Sequence, residues 1–356
     1  MRSTSRPEFR VPSSALAGRT APAERGTLNS EPVRWSALFL ALALGCTAPG
    51  DSGETVRVTI PPGASFREVT DTLANRGLIG SGLWFRVLAR VRHTDRAIKA
   101  GIYDLPQGAS NWALLTVLEH GDVAMARFTA PEGLTLLELA DLAETRLGIS
   151  HDSVIATARD RSRVSQLAPD APTLEGYLLP ETYALPLPVS ATGLVQAMMD
   201  EFKRRWNPAW DRRLDSLKLS RTELLALASI VEGEARHDDE RSTIAAVYRN
   251  RLRLRMPLQA DPTVQYAIQM ATGERKPRLF FKDYEFPSLY NTYLNPGLPP
   301  GPVNSPGLKS IEAALYPADV PYLYFVARPD GHHRFSRTLE EHNRAIAQAR
   351  REAAGR

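Results

Sequence analysis

Cysteine is almost absent: Cys46 is the only one in 356 residues, which excludes an intrachain disulfide and any cysteine-based zinc site. Charge of one sign is missing too. Lys and Arg total 44 against 40 Asp and Glu, a formal net charge of +4. With no basic stripe interleaved with aromatics, a nucleic-acid partner is not expected. The chain contains no phosphate-cradling glycine loop, nucleophile elbow or dinucleotide fingerprint. His332-His333 and His342 lack metal-ligand spacing. His237-Asp-Asp-Glu240 reads as a solvated turn, because consecutive residues at a helix start diverge. Neither a metal nor another cofactor is therefore expected. At 43% hydrophobic and 24% charged residues the composition is that of a globular protein, and the length allows two domains.

Long apolar runs are equally scarce. Trp35 to Leu44 is the most apolar long run without charges, Gly or Pro, and Arg34 precedes it. Its helix would cover about 15 Å, roughly half a bilayer core, which suits a signal-peptide core better than a full span. The run ends Ala43-Leu44-Gly45-Cys46, similar to a bacterial lipoprotein cleavage site with Cys46 as the lipidated residue. An uncleaved anchor over Val33 to Ala48 and a buried structural cysteine are the alternatives. Either membrane reading places the bulk of the chain outside the cytoplasm. Residues 1–33 read as a disordered leader, 34–46 as the signal-peptide-like or anchor segment, and 47–54 as a linker.

A repeat follows at a spacing of 70 residues: Val58 to Asp71 (VTIPPGASFREVTD) against Phe128 to Asp141 (FTAPEGLTLLELAD). Each copy reads as a strand, a Pro-x-Gly turn and a helix opened by a capping box, Ser65 with Glu68 and Thr135 with Glu138. Between them, Ser81 and Ser110 should cap helices through Val91 and His120, and Ile98 to Leu105 reads as a strand. Residues 55–122 thus form an α+β module whose first copy resembles the LysM-type modules that hold cell-wall glycans; a structural spacer is the other reading. Downstream, a third capping box (Ser220, Glu223) starts a helix carrying Glu232, and a second helix should run from about Asp239 to Arg253. Tyr322 to Ala327 reads as a buried strand and Leu339 to Arg351 as a polar helix.

Glu232 is the first candidate for chemistry. It ends the uncharged run Leu224 to Val231, and a carboxylate there is costly unless used or paired. Unpaired carbonyls at a helix end near Gly233 and apolar neighbours favour the protonated form that a general acid needs. A buried carboxylate paired with an arginine such as Arg236 or Arg249 is the competing reading. Glu234 lies about 200° round the same helix, so the two carboxylates cannot converge on one substrate atom. In Gln259-Ala-Asp-Pro-Thr263, Asp261 reads as an N-cap with Pro262 in the first turn, which leaves Gln259 unexplained. Tyr290-Asn-Thr-Tyr293 and Gly297-Leu-Pro-Pro-Gly-Pro302 offer a rigid loop of aromatic and amide groups suited to sugar rings, although turn chemistry also accounts for the Pro and Gly.

These segments together carry a resemblance. Leu174-Glu-Gly-Tyr-Leu-Leu-Pro-Glu-Thr-Tyr183, Ala228-Ser-Ile-Val-Glu-Gly-Glu234, Leu258-Gln-Ala-Asp-Pro-Thr263, Tyr290-Asn-Thr-Tyr293, Gly297-Leu-Pro-Pro-Gly301 and Glu341-His-Asn343 follow in the order found in the endolytic murein transglycosylases, the MltG/YceG-like family. The chain resembles that family over residues 55–350. It departs at Arg255, where Gly is expected, at Ser288-Leu289 and at Glu181. The resemblance implies an α+β protein with a LysM-like module ahead of a mixed α/β catalytic domain over 123–350. It implies Glu232 as catalytic acid, with Glu234, Gln259, Asp261, Tyr290 and Asn291 lining the substrate site. The implied reaction is non-hydrolytic cleavage of the β-1,4 bond between N-acetylmuramic acid and N-acetylglucosamine within glycan strands, leaving 1,6-anhydro ends. It further implies a periplasmic domain anchored at the N-terminus to the inner membrane, releasing or terminating nascent peptidoglycan strands beside penicillin-binding-protein synthases. A muramidase-type hydrolase using the same Glu232, and a non-catalytic wall-binding protein, are the alternatives.

Overall fold

The computed structural model describes residues 54–354. Segment 34–46, with Cys46, lies outside the described residues. The first part of the chain runs β1 (Thr55–Ile60), α1 (Phe66–Asn75), α2 (Gly82–Val91), β2 (Gly101–Pro106), α3 (Asn111–His120), β3 (Met125–Thr129), α4 (Leu136–Leu147), α5 (His151–Arg159), α6 (Arg161–Leu167) and β4 (Thr182–Pro186). There follow α7 (Ala191–Arg205), α8 (Pro208–Leu217), α9 (Arg221–Glu234), α10 (Arg241–Arg253), α11 (Asp261–Thr272), α12 (Leu308–Leu315), β5 (Tyr324–Ala327), β6 (His333–Ser336) and α13 (Leu339–Ala354). The mixed α/β class expected from the sequence is the one observed. Among the described residues the strands pair only as three antiparallel ribbons, β1 with β2, β3 with β4 and β5 with β6.

The two repeat copies fold alike because the same residues do the same local work. Gly63 and Gly133 take φ of +79° and +78°, the left-handed conformation that turns strand into helix at no steric cost. Both capping boxes close: Ser65 accepts from the Glu68 N–H and Thr135 from that of Glu138, each at 3.2 Å, while the glutamates accept from the cap residues' own N–H groups. The buried positions also correspond, Val58 with Phe128, Ile60 with Ala130, Val69 with Leu139 and Leu73 with Ala143. Each copy packs into its own apolar cluster, one over residues 58–118 and a larger one over 128–315. Main-chain hydrogen bonds join the first two ribbons end to end: Ile102 N–H to the Leu187 carbonyl, Ala124 N–H to that of Ile102, and Leu187 N–H to that of Ala124.

Helix α9 is the centre of the larger cluster. Its residues from Leu224 to Val231 are all buried, and it packs against α10, α11 and α12. The sequence pattern placed its end at Gly233; the helix instead continues to Glu234. Gly233 is there for space, since a Cβ would stand 2.6 Å from the Pro262 ring of α11. Three further expectations are corrected. The helix expected from Asp239 is divided: Asp238–Glu240 form a 3-10 turn and α10 starts at Arg241. That turn is not wholly solvated either, because buried Glu240 accepts from the His333 N–H and its imidazole. The strand expected as buried over Tyr322 to Ala327 is β5, half-exposed on the outer ribbon.

Candidate active site

The last turn of α9 brings Glu232 to a floor made by other segments. Residues Gly301–Gly307 form a fully buried strap beside α9. Ser229 fastens it: its hydroxyl accepts from the Val303 N–H at 3.0 Å and its carbonyl from the Asn304 amide at 2.9 Å. On its other side the strap pairs with the turn of the second repeat copy, Gly133 N–H to the Ser305 carbonyl and Ser305 N–H to that of Leu134, both at 2.8 Å. The strap ends at Gly307, whose N–H donates to Glu232 Oε2 at 3.0 Å.

Glu232 is also paired with an arginine, but neither of the two suggested by the sequence. Arg241 Nη1 stands 3.1 Å from Oε2, with the two side chains 9% and 7% exposed. The apolar surroundings expected of Glu232 thus include an ion pair. Arg241 is itself held at Nε by Asp238 at 2.9 Å, and Lys309 binds the other oxygen of Asp238. The 238–240 turn delivers Arg241, the first residue of α10, in place of Arg236 or Arg249. Oε1 of Glu232 has no hydrogen-bond partner among the described residues.

Glu234 faces elsewhere, as its position round the helix requires. It lines a polar cavity of about 260 Å³ with Tyr248, Arg251, Gln259, Asp261, Tyr293, Phe325 and His342. The Tyr248 hydroxyl donates to Glu234 Oε1 at 2.9 Å, and that of Tyr293 to Asp261 Oδ1 at 2.7 Å. Glu234 keeps some exposure, but the protein packed round its carboxyl, with Asp261 nearby, pushes its pKa up to about 7. Burial, with Arg251 adding to it, lowers that of His342, which favours the neutral imidazole. Asp261 is the first residue of α11 and Ala260 its N-cap, a correction that leaves the Asp261 carboxylate for the cavity. Gln259 adopts φ of +49°, a strained backbone at the cavity wall.

Tyr290 and Asn291, also expected to line the site, do not reach this cavity. Tyr290 is half-buried with its ring 4.8 Å from that of Tyr266, and burial beside Glu175 raises its hydroxyl to about 12. Asn291 is fully buried: its amide donates to the Tyr284 and Phe286 carbonyls at 2.9 Å and its oxygen accepts from the Tyr293 N–H. It shapes the loop and has no group left for a sugar. Of the residues singled out in sequence, three therefore meet in one cavity, Glu232 stands on the opposite side of α9, and two belong to the supporting loop. Arg241, Tyr248, Arg251 and Gly307 were missed; His342 was visible only as part of a motif.

Comparison with known proteins bears directly on this arrangement. A family model described as the YceG-like family matches residues 58–348. The chain is 36% identical over 311 residues to the endolytic murein transglycosylase of Bacillus subtilis (strain 168), covering 83% of this chain and 85% of the relative. It is 32% identical over 327 residues to the protein of the same name from Streptococcus pneumoniae serotype 2 (strain D39 / NCTC 7466), where the match takes in 84% of this chain and 59% of the longer relative. A crystal structure of a yceG-like protein from Listeria monocytogenes is similar with a TM-score of 0.57 and 35% identity, over 82% of this chain and 99% of that one. With α9, the strap and the second and third ribbons all inside the matched residues, the chain belongs to the YceG-like family.

Proposed function

We propose that this protein is a peptidoglycan lytic transglycosylase that cuts within glycan strands, with Glu232 as the acid. One observation carries the reading: a carboxyl with one oxygen gripped by the Gly307 N–H and Arg241 and the other without a protein partner. A proton on Oε1 faces the leaving glycosidic oxygen between muramic acid and glucosamine units. As it transfers, charge develops on the carboxylate, and both contacts at Oε2 strengthen. The C6 hydroxyl of the muramyl unit then closes onto C1 and its proton is removed, giving a 1,6-anhydro end with no water consumed. Because the substrate supplies its own nucleophile, the second, water-activating carboxylate of ordinary glycosidases is unnecessary. The Glu234 cavity, with hydroxyl, amide and carboxylate groups converging, suits the polar substituents of an adjoining sugar.

On the same reading, the module over 55–122 holds the strand. An apolar cavity of about 460 Å³ lined by Thr59 to Ala64 together with Glu68, Val69 and Thr72 supports this. The segment ending at Cys46 tethers the molecule to the membrane, with the remainder in the periplasm, beside penicillin-binding-protein synthases whose nascent strands it terminates. Mass spectrometry of the products from purified murein tests the chemistry. The native chain should leave anhydro ends, and Glu232→Gln should lose at least about 100-fold in rate while keeping its fold. Reducing ends would establish a muramidase instead, and an unchanged rate in the variant would remove Glu232 from the chemistry.

A further inference from the structure

Gly307 stands between two carboxylates. Its N–H donates to Glu232, and a Cβ on its α-carbon would lie 1.9 Å from Oε1 and 2.8 Å from Oε2 of Glu132. Covalent geometry about this one residue keeps the nearest oxygens of the two acids within about 7 Å of each other. Carboxyl pairs that serve a single glycosidic bond stand roughly 5–9.5 Å apart. Glu132 belongs to the turn of the second repeat copy, which the Gly133 and Ser305 hydrogen bonds fix to the strap. The first copy carries Pro62 at the same place, so only the second turn brings a carboxyl.

Glu132 has none of the usual uses of a surface acid. It is exposed, caps no helix, and makes no hydrogen bond or ion pair among the described residues. The charged groups that face it are Glu232 from α9, Asp238 from the turn, Arg241 from α10 and Lys309 from α12. Crowding of the carboxyl and the charge of Glu232 hold its pKa above the ordinary carboxyl range, and the two cations only partly offset this.

We propose that Glu132 is the base of the reaction, taking the proton from the muramyl C6 hydroxyl while Glu232 gives its own to the leaving oxygen. This rests on the transglycosylase reading and deepens it. The C1–O4 bond breaks as O4 receives the Glu232 proton; the O6–C1 bond forms as O6 loses its proton to Glu132. The cycle closes when one proton passes from Glu132 back to Glu232 through solvent, so nothing is consumed. A carboxylate of raised proton affinity is a better base while it is still ionised near neutral pH.

The test follows anhydro-end formation by the full chain on purified glycan strands from about pH 4 to pH 8. It compares the native chain, Glu132→Gln, and Glu132→Ala with and without added formate. The native rate should rise with pH as Glu132 ionises. Glu132→Gln should lose about 100-fold or more in kcat together with that acidic limb, and formate should restore part of the rate to Glu132→Ala. A Glu132→Gln variant with native kcat and the same limb overturns the proposal, as does a loss confined to KM. Failure of the underlying reading is distinguishable, because the native chain would then leave reducing ends or no product.

Discussion

Glu232 and Glu234 sit two positions apart and serve different surroundings, because α9 turns about 200° between them. That divergence was legible from periodicity alone. The partner of Glu232 was not: an arginine was foreseeable, but its identity depends on where the 238–240 turn sends the chain. Glu132 was harder still, since nothing in a Pro-Glu-Gly turn shows that a distant strap will lie against it. The one available signal was the contrast with Pro62 in the first copy. Glu234 makes a prediction in its own right. Burial raises its pKa to about 7 from 4.5, so between those values the folded chain binds a proton that the unfolded chain releases. Its contribution to stability is therefore complete below the lower value and is lost as pH rises through the upper one. Glu175, buried and pushed up to about 8, acts in the same direction. Glu234→Gln should match the native melting temperature near about pH 5 and exceed it at about pH 8, with a gain of at most about 3 kcal/mol. A variant less stable at the higher pH would mean the ionised carboxylate is the form the fold requires.

Among the elements, those announced by local chemistry were the ones read correctly. Ser65, Thr135 and Ser220 all cap as their spacing to a glutamate implies, and the Ser81 and Ser110 caps begin α2 and α3. Elements governed by tertiary contact were not. Gly233 marked the helix end to within one residue, but not its packing, in which the Pro262 ring fills the space of a side chain. Asn291 looked like a sugar ligand because amides bind sugars, and only packing reveals three backbone partners. Gly233→Ala tests this scale. Alanine would gain about 1 kcal/mol in helix propensity, whereas overpacking against a rigid ring costs about 1–3 kcal/mol. Urea denaturation should show a net loss of about 1–2 kcal/mol, and a more stable variant would mean that α11 yields freely.

At the scale of the molecule, the repeat was legible as two strand–turn–helix units, and the structure shows one scaffold used twice with different surroundings. The floor beside Glu232 was not legible, because it draws on the second turn, on α9 with the start of α10, and on the strap, three stretches far apart in sequence. The proposed tether is tested in cells: if Cys46 is lipidated, Cys46→Ser should move the protein from the membrane fraction to the soluble fraction. Retention at the membrane would favour an uncleaved helix. Gly307, where the three stretches meet, has a spectroscopic consequence. Its amide proton rests on one acid while its α-carbon lies under the other. In a nitrogen–proton correlation spectrum, this single resonance would respond to a change at either acid in the resting protein, before any sugar is added.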